Sequence, residues 1–263
     1  MSDSTQARPA LRWQPNRVGL LFSFIFIPFL LWLGSWQLER AEEKRSIVAL
    51  HAANQAAPRV DLNSLTDSDG LQYRRITVAG EFVASPLFVI DNKVRNGRPG
   101  YEIAQLFMPD GSQSALLVNR GWVAAPLDRR KLPELEQLVG NLRLHGALYQ
   151  RLSGGLQLDD GVKLPLEELQ RVGWLDVERA ANWVETPLFS YQLRLERDSP
   201  AALETGWPVV AIYPQKHTGY AVQWFIMAIV LVGLTLIANS NFAAWLKARR
   251  QVLRQDSDND AEQ

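Results

Sequence analysis

The feature that most constrains this chain is a pair of long uncharged stretches near its two ends. Between Arg17 and Glu39 lie 21 residues, Val18 to Leu38, without a charged side chain. At roughly 1.5 Å of rise per residue, such a stretch covers about 31 Å as a helix, the thickness of a hydrocarbon core. The second, Tyr220 to Ala238, adds 19 residues that include WFIMAIVLVGLTLI. Both read as membrane spans. Pro28 inside the first is tolerable with a kink, because neighbouring helices can satisfy the carbonyl it frees. Arg8, Arg12 and Arg17 precede the first stretch as a signal peptide's basic leader would. Its apolar core is long for that role, and Trp32-Leu33-Gly34-Ser35-Trp36 offers no small-residue cleavage site, so it reads as a retained anchor.

Orientation follows from basic residues near the span ends. The outer flanks carry seven, Arg8, Arg12, Arg17, Lys247, Arg249, Arg250 and Arg254; the loop-side flanks carry four, Arg40, Lys44, Arg45 and Lys216. Both termini are therefore expected in the cytoplasm, with the 180 residues from Gln37 to Lys216 on the opposite face, the periplasm in a bacterium. The expected organisation is a cytoplasmic tail over 1–17, a span over 18–38, a juxtamembrane helix over 39–57, a β-rich domain over 58–216, a second span over 217–238 and a cytoplasmic tail over 239–263.

Inside the loop the period changes. Ile76, Val78, Gly80 and Phe82 alternate with polar or small residues, as do Leu142, Leu144, Gly146 and Leu148, and Phe189, Tyr191, Leu193 and Leu195. A period of two marks half-buried strands with one wet face. Pro109-Asp110-Gly111 separates two further apolar runs as a hairpin turn, and Asn96-Gly97 marks another. Short helices are expected at Pro165 to Arg171 and Val177 to Trp183, and the acidic tail from Asp256 to Glu262 is expected to be disordered. The expected fold is an α+β membrane protein: two transmembrane helices flanking an antiparallel, β-rich, barrel-like extracytoplasmic domain, a curved sheet or partly closed barrel.

The chemistry is sparse. With no cysteine there is no disulfide, thiolate zinc site, iron–sulfur cluster or covalently attached haem, and any cofactor is held by nitrogen, oxygen or packing. With 28 basic and 28 acidic side chains there is no global field to attract nucleic acid, and no nucleic-acid partner is expected. The usual catalytic strings are missing, and no pair of acidic residues is fixed by a motif, so a tethered hydrolase has no positive support. His51 and His145 read as ordinary surface residues. His217 stands at the mouth of the second span, and at 100° per residue Tyr220, Trp224 and Ala228 share its helical face. An ionisable group there is a site hypothesis; the alternative is an interfacial histidine reaching for water beside an aromatic belt. Trp36 and Arg40, four apart at the end of the first span, stand between the same two readings.

Five strings in order between the two spans carry a resemblance: Gly34-Ser35-Trp36-Gln37-x-x-Arg40-x-x-x-Lys44; Tyr73-Arg74-x-Ile76-x-x-x-Gly80-x-Phe82; Asn96-Gly97-Arg98-Pro99-Gly100-Tyr101; Asn119-Arg120-Gly121-Trp122-Val123; and His217 to Phe225. From about Val18 to Ala238 the chain resembles the surfeit locus protein one family. One departure is Ala124-Ala125 after Trp122-Val123, with Pro126 later than is usual in the family. The resemblance implies a non-enzymatic assembly factor for haem-copper cytochrome c oxidase in a bacterial inner membrane. It implies non-covalent haem a, with His217 as the iron ligand and Trp36 carried over from the family's tryptophan. Beside these, Tyr220 and Trp224 would wall the ring, and Arg40 is the first candidate for a propionate, with Lys216, Arg98 and Arg120 behind it. The implied partners are the oxidase catalytic subunit, haem a synthase and the lipid bilayer. A membrane scaffold that stabilises an oxidase subunit without binding haem is the competing expectation.

Overall fold

Both apolar stretches are helical in the computed structural model, which describes residues 10–65, 70–128, 130–136, 138–151, 161–162 and 164–250. Arg8, Arg254 and the acidic tail fall outside the described residues. The first stretch belongs to α1, Arg17–Ala56, and the second to α3, Pro214–Ala238. Both are long and apolar enough to cross a membrane, and only 11% of each helix's apolar window is buried inside the chain. That is the exposure membrane anchoring requires, and it sets both helices apart from the core helices of a soluble protein. The chain divides into two units, Met1–Ser46 with Val210–Gln263, and Ile47–Val209.

In the first unit α1 and α3 run antiparallel along a seam of small residues. Ser23, Ile27, Leu30, Gly34, Gln37, Ala41 and Lys44 are all buried or half-buried at alternating spacings of four and three. Thr218, Ala221, Phe225, Ala228 and Thr235 keep the same rhythm on α3. This is the 3.5-residue repeat of a left-handed helix pair. Without a hydrophobic drive in lipid, such pairs associate through close packing and interhelical hydrogen bonds. Gly34 permits the approach, since a Cβ there would lie 2.5 Å from Cε1 of Phe225. Ser23 Oγ and Thr235 Oγ1 are 2.6 Å apart across the seam. At one end Asn16 caps α1 through Val18 N and Gly19 N, and its own N–H donates to Asn239 Oδ1 at 2.5 Å.

The second unit is a seven-stranded sheet. Its strands are β1 Val60–Asp61, β2 Arg75–Arg95, β3 Arg98–Pro109, β4 Leu116–Ala124, β5 Leu142–Tyr149, β6 Leu169–Val172 and β7 Gln192–Leu195; the short helix α2 is Val177–Ala181. β2 and β3 form a hairpin in which Arg95 faces Arg98 across Asn96 and Gly97, both with positive φ, as a two-residue turn of this sequence requires. Pro109 to Ser112 makes the expected turn between β3 and β4, closed by Ser112 N donating to Pro109 O. The late Pro126 lets Ala124 complete β4 and Ala125 N donate to Pro99 O at 3.0 Å.

Three expectations need correction. The sheet is mixed: β1–β2, β2–β6 and β4–β7 pair in parallel. Alternation reports a wet face and a dry one but carries nothing about a neighbour's direction. Nor is it a closed barrel. Pairing leads from β2 through β3, β4, β7 and β5 back to Arg75–Gly80 of β2, but along Leu87–Ile90 the neighbour is the four-residue β6, which pairs with no other strand among the described residues. Finally, Leu169–Val172, expected to lie largely in a helix, is β6. Its helix-forming residues are overridden by the free edge of β2, which offers backbone partners over four registered pairs.

That stretch of β2 is dry on both faces. Leu87 and Val89 pack with Tyr101 and Ile103, while Phe88 and Ile90 pack with Leu106, Leu117, Val172 and α2. A third cluster gathers Ile76, Val78, Leu144, Leu148, Leu193 and Leu195, alternating positions read from the sequence, together with Phe107. The last turns of α1 belong to this unit: Asn54 Nδ2 donates to Gln72 O, and the His51 ring meets Tyr73 edge-on at 5.1 Å. Glu196 gathers Arg59 and Arg75, and Arg59 also reaches Asp198 at 2.8 Å.

Candidate cofactor site on the helix pair

The α1–α3 seam carries one polar contact between side chains that chemistry singles out. His217 opens α3 one turn after Pro214 and is half-buried. Its Nδ1 lies 2.8 Å from Oε1 of Gln37 on α1. In the neutral tautomer protonated at Nδ1, that N–H donates to the amide oxygen and Nε2 keeps its lone pair. Fixing one imidazole nitrogen through an oxygen acceptor is how proteins set the tautomer and direction of a ligating histidine.

Around this pair lie charges carried by α1. Arg40 Nη1 donates to Glu43 at 2.5 Å, Lys44 Nζ reaches the other oxygen of Glu43 at 2.9 Å, and Arg45 Nη2 donates to Thr218 Oγ1 at 3.0 Å. A hydrogen bond from Lys44, with the charges of Lys44 and Arg40, outweighs slight burial and holds the Glu43 carboxyl below its ordinary value. Arg45 is also paired with Glu42 at 2.9 Å, so the mouth of the helix pair is a mixed patch of paired cations and anions.

The aromatic residues singled out with His217 occupy the same region less tightly. Trp36 is 40% exposed and Tyr220 is 52% exposed, while Trp224 is half-buried. Among the described residues no ring pairing joins any of the three. Lys216 is exposed. Arg98 and Arg120 belong to the sheet unit, where Arg120 is buried and spends its guanidinium on Ala201 O and Gln105. The residue whose role the sequence reading missed is Gln37. Its partner lies 180 positions away on the other helix, so no local pattern marks it.

Two helices long and apolar enough to cross a membrane, a mixed-sheet domain and one imidazole held on the helix seam define the class of chain. Comparison gives the family. The SURF1 family model matches residues 24–229, and the chain belongs to that family. A SURF1-like protein of Rickettsia felis is 26% identical over 231 residues, covering 84% of this chain and 96% of the relative. One of Rickettsia bellii is 24% identical over 251 residues, 92% and 98% of the two chains. The cytochrome oxidase assembly protein SHY1 of Saccharomyces cerevisiae is 27% identical over 132 residues, 46% of this chain and 33% of the yeast protein.

Proposed function

We propose that this chain is a membrane-anchored assembly factor for a haem-copper cytochrome c oxidase, and that it holds haem a non-covalently at His217 for insertion into the oxidase catalytic subunit. The observation that carries the reading is the 2.8 Å contact between His217 Nδ1 and Gln37. The donor set fits the group: ferric or ferrous haem iron takes a neutral imidazole nitrogen, and Nε2 is the one left free. Bound haem a would supply an axial iron site and a farnesyl tail suited to an apolar helix surface. Trp36, Tyr220 and Trp224 offer apolar faces to the ring, and Arg40, already turned to Glu43, shares with exposed Lys216 the task of meeting a propionate. A chain without cysteine binds reversibly, as a protein that passes its cofactor on must. The relevant membrane is the bacterial inner membrane, with both termini cytoplasmic and the sheet unit periplasmic. The oxidase catalytic subunit receives the haem, and haem a synthase supplies it.

The test is complementation of a strain lacking the protein. Wild type should restore haem a oxidase activity, and His217→Ala, present in the membrane at normal abundance, should restore much less while oxidases that use haem b are unaffected. Full restoration by His217→Ala would remove His217 from the function.

A further inference from the structure

A separate cavity lies wholly within the sheet unit. Its volume of about 540 Å³ falls in the range of small-molecule sites. The floor is a polar row across three strands, Glu102 of β3, Asn119 of β4 and Arg194 of β7. Asn119 and Arg194 face each other directly in the β4–β7 pairing. Side chains of a regular strand alternate faces, yet Asp91, Asn92 and Lys93 all line this cavity. The cause is a register shift between Ile90 and Lys93 of β2, with Asn92 at φ 60. Such bulges re-aim side chains and collect beside binding sites, and a residue held in the left-handed region is a strain worth explaining.

Of the five charged side chains that line the cavity, three are paired, while Arg151, 5.8 Å over the Trp174 ring, and Arg194 have no ion pair among the described residues. Glu102 accepts from Asn119 at 3.0 Å and faces Lys93 at 3.6 Å, and Asp91 is paired with Arg171. Arg194 has no such partner. Its guanidinium carbon lies 3.3 Å above the Tyr149 ring and 5.1 Å from that of Trp207, and its Nε is buried without a hydrogen-bond acceptor. Among the described residues no carboxylate comes within ion-pair distance of it. Burial pushes its pKa down, but a guanidinium stays charged in any accessible range. A half-buried cation whose nearest anion, Glu102, favours its charge from beyond ion-pair distance is only partly compensated, and a ligand anion is the usual further compensation.

We propose that this cavity binds an organic monocarboxylate with a flat apolar body, the carboxylate on the Arg194 guanidinium and the body against Trp174 and Leu175. The planar fork of arginine matches a carboxylate, whereas Asp91 and Glu102 in the wall repel a dianion such as phosphate. The inference does not rest on the haem reading, and His217→Ala leaves it untouched.

The experiment titrates the full-length protein in nanodiscs with benzoate and with indole-3-acetate, following heat of binding and melting temperature. One of the two should bind saturably, while benzamide and inorganic phosphate should not. Arg194→Gln should weaken binding at least tenfold. Glu102→Gln, which keeps its hydrogen bonds and removes a repelling charge, should tighten it several-fold, and this decides the matter if Arg194→Gln does not fold. Absence of saturable binding by both carboxylates, equal binding of phosphate, or weaker binding by Glu102→Gln would each overturn the proposal.

Discussion

The imidazole of His217 and the amide of Gln37 form the smallest unit on which the haem reading depends. Gln37→Leu keeps the size and helix propensity of the residue while removing the acceptor for Nδ1–H. If His217 ligates iron, loss of an outer-shell partner of this kind should weaken haem retention by about 10- to 100-fold while leaving the imidazole in place. Titration of detergent-purified apoprotein with haem checks this, and an unchanged affinity would mean that Gln37 merely packs. Of the pair, His217 was legible in the sequence because an ionisable residue at a span end stands out against an apolar background. Gln37 was not, because an amide near a helix end is ordinary until its partner on the other helix is known. Arg194 was concealed for a similar reason: alternation assigned it to a wet face, whereas the curl of the sheet and the rings of Tyr149 and Trp207 enclose it.

The elements were legible wherever a period was strong. Val18–Leu38, Tyr220–Ala238, Ile76–Phe82 and Leu142–Leu148 declared their type through unbroken or alternating apolar patterns. Leu169–Val172 did not, because four residues carry too little pattern to outvote helix-forming side chains, and the edge that recruits them lies some eighty residues earlier. The long-range ion cluster was also beyond reach of local reading. Burial raises the pKa of Glu196, but hydrogen bonds from Arg75 and then Arg59 outweigh this and leave it below its ordinary value. A carboxylate depressed in the folded state contributes stability that is present above its unfolded pKa and lost as pH falls through the folded one. Melting temperature should therefore drop between about pH 5 and pH 3 in wild type, and less steeply in Glu196→Gln. At neutral pH that substitution should cost about 1–3 kcal/mol, since it removes the anion shared by two arginines. Parallel acid profiles would show that the cluster adds nothing to folding.

On the scale of the whole molecule, the proposed topology puts both termini in the cytoplasm and the loop between the apolar helices in the periplasm. The seven-to-four bias of basic residues predicts that a phosphatase fused at Ser68 is active and one fused after Arg254 is inactive. The reverse pattern would invert the molecule, and a mature chain beginning near Trp36 would remove its first anchor. The central claim, that this SURF1 family member carries haem a on His217, is tested most directly by the visible spectrum of the protein purified from cells that make haem a. A Soret band in wild type that is lost or shifted in His217→Ala, with membrane insertion intact, is the predicted result. An unchanged spectrum in His217→Ala would contradict the ligand assignment, and a colourless wild type that still co-purifies with an oxidase subunit would replace the haem carrier with a scaffold.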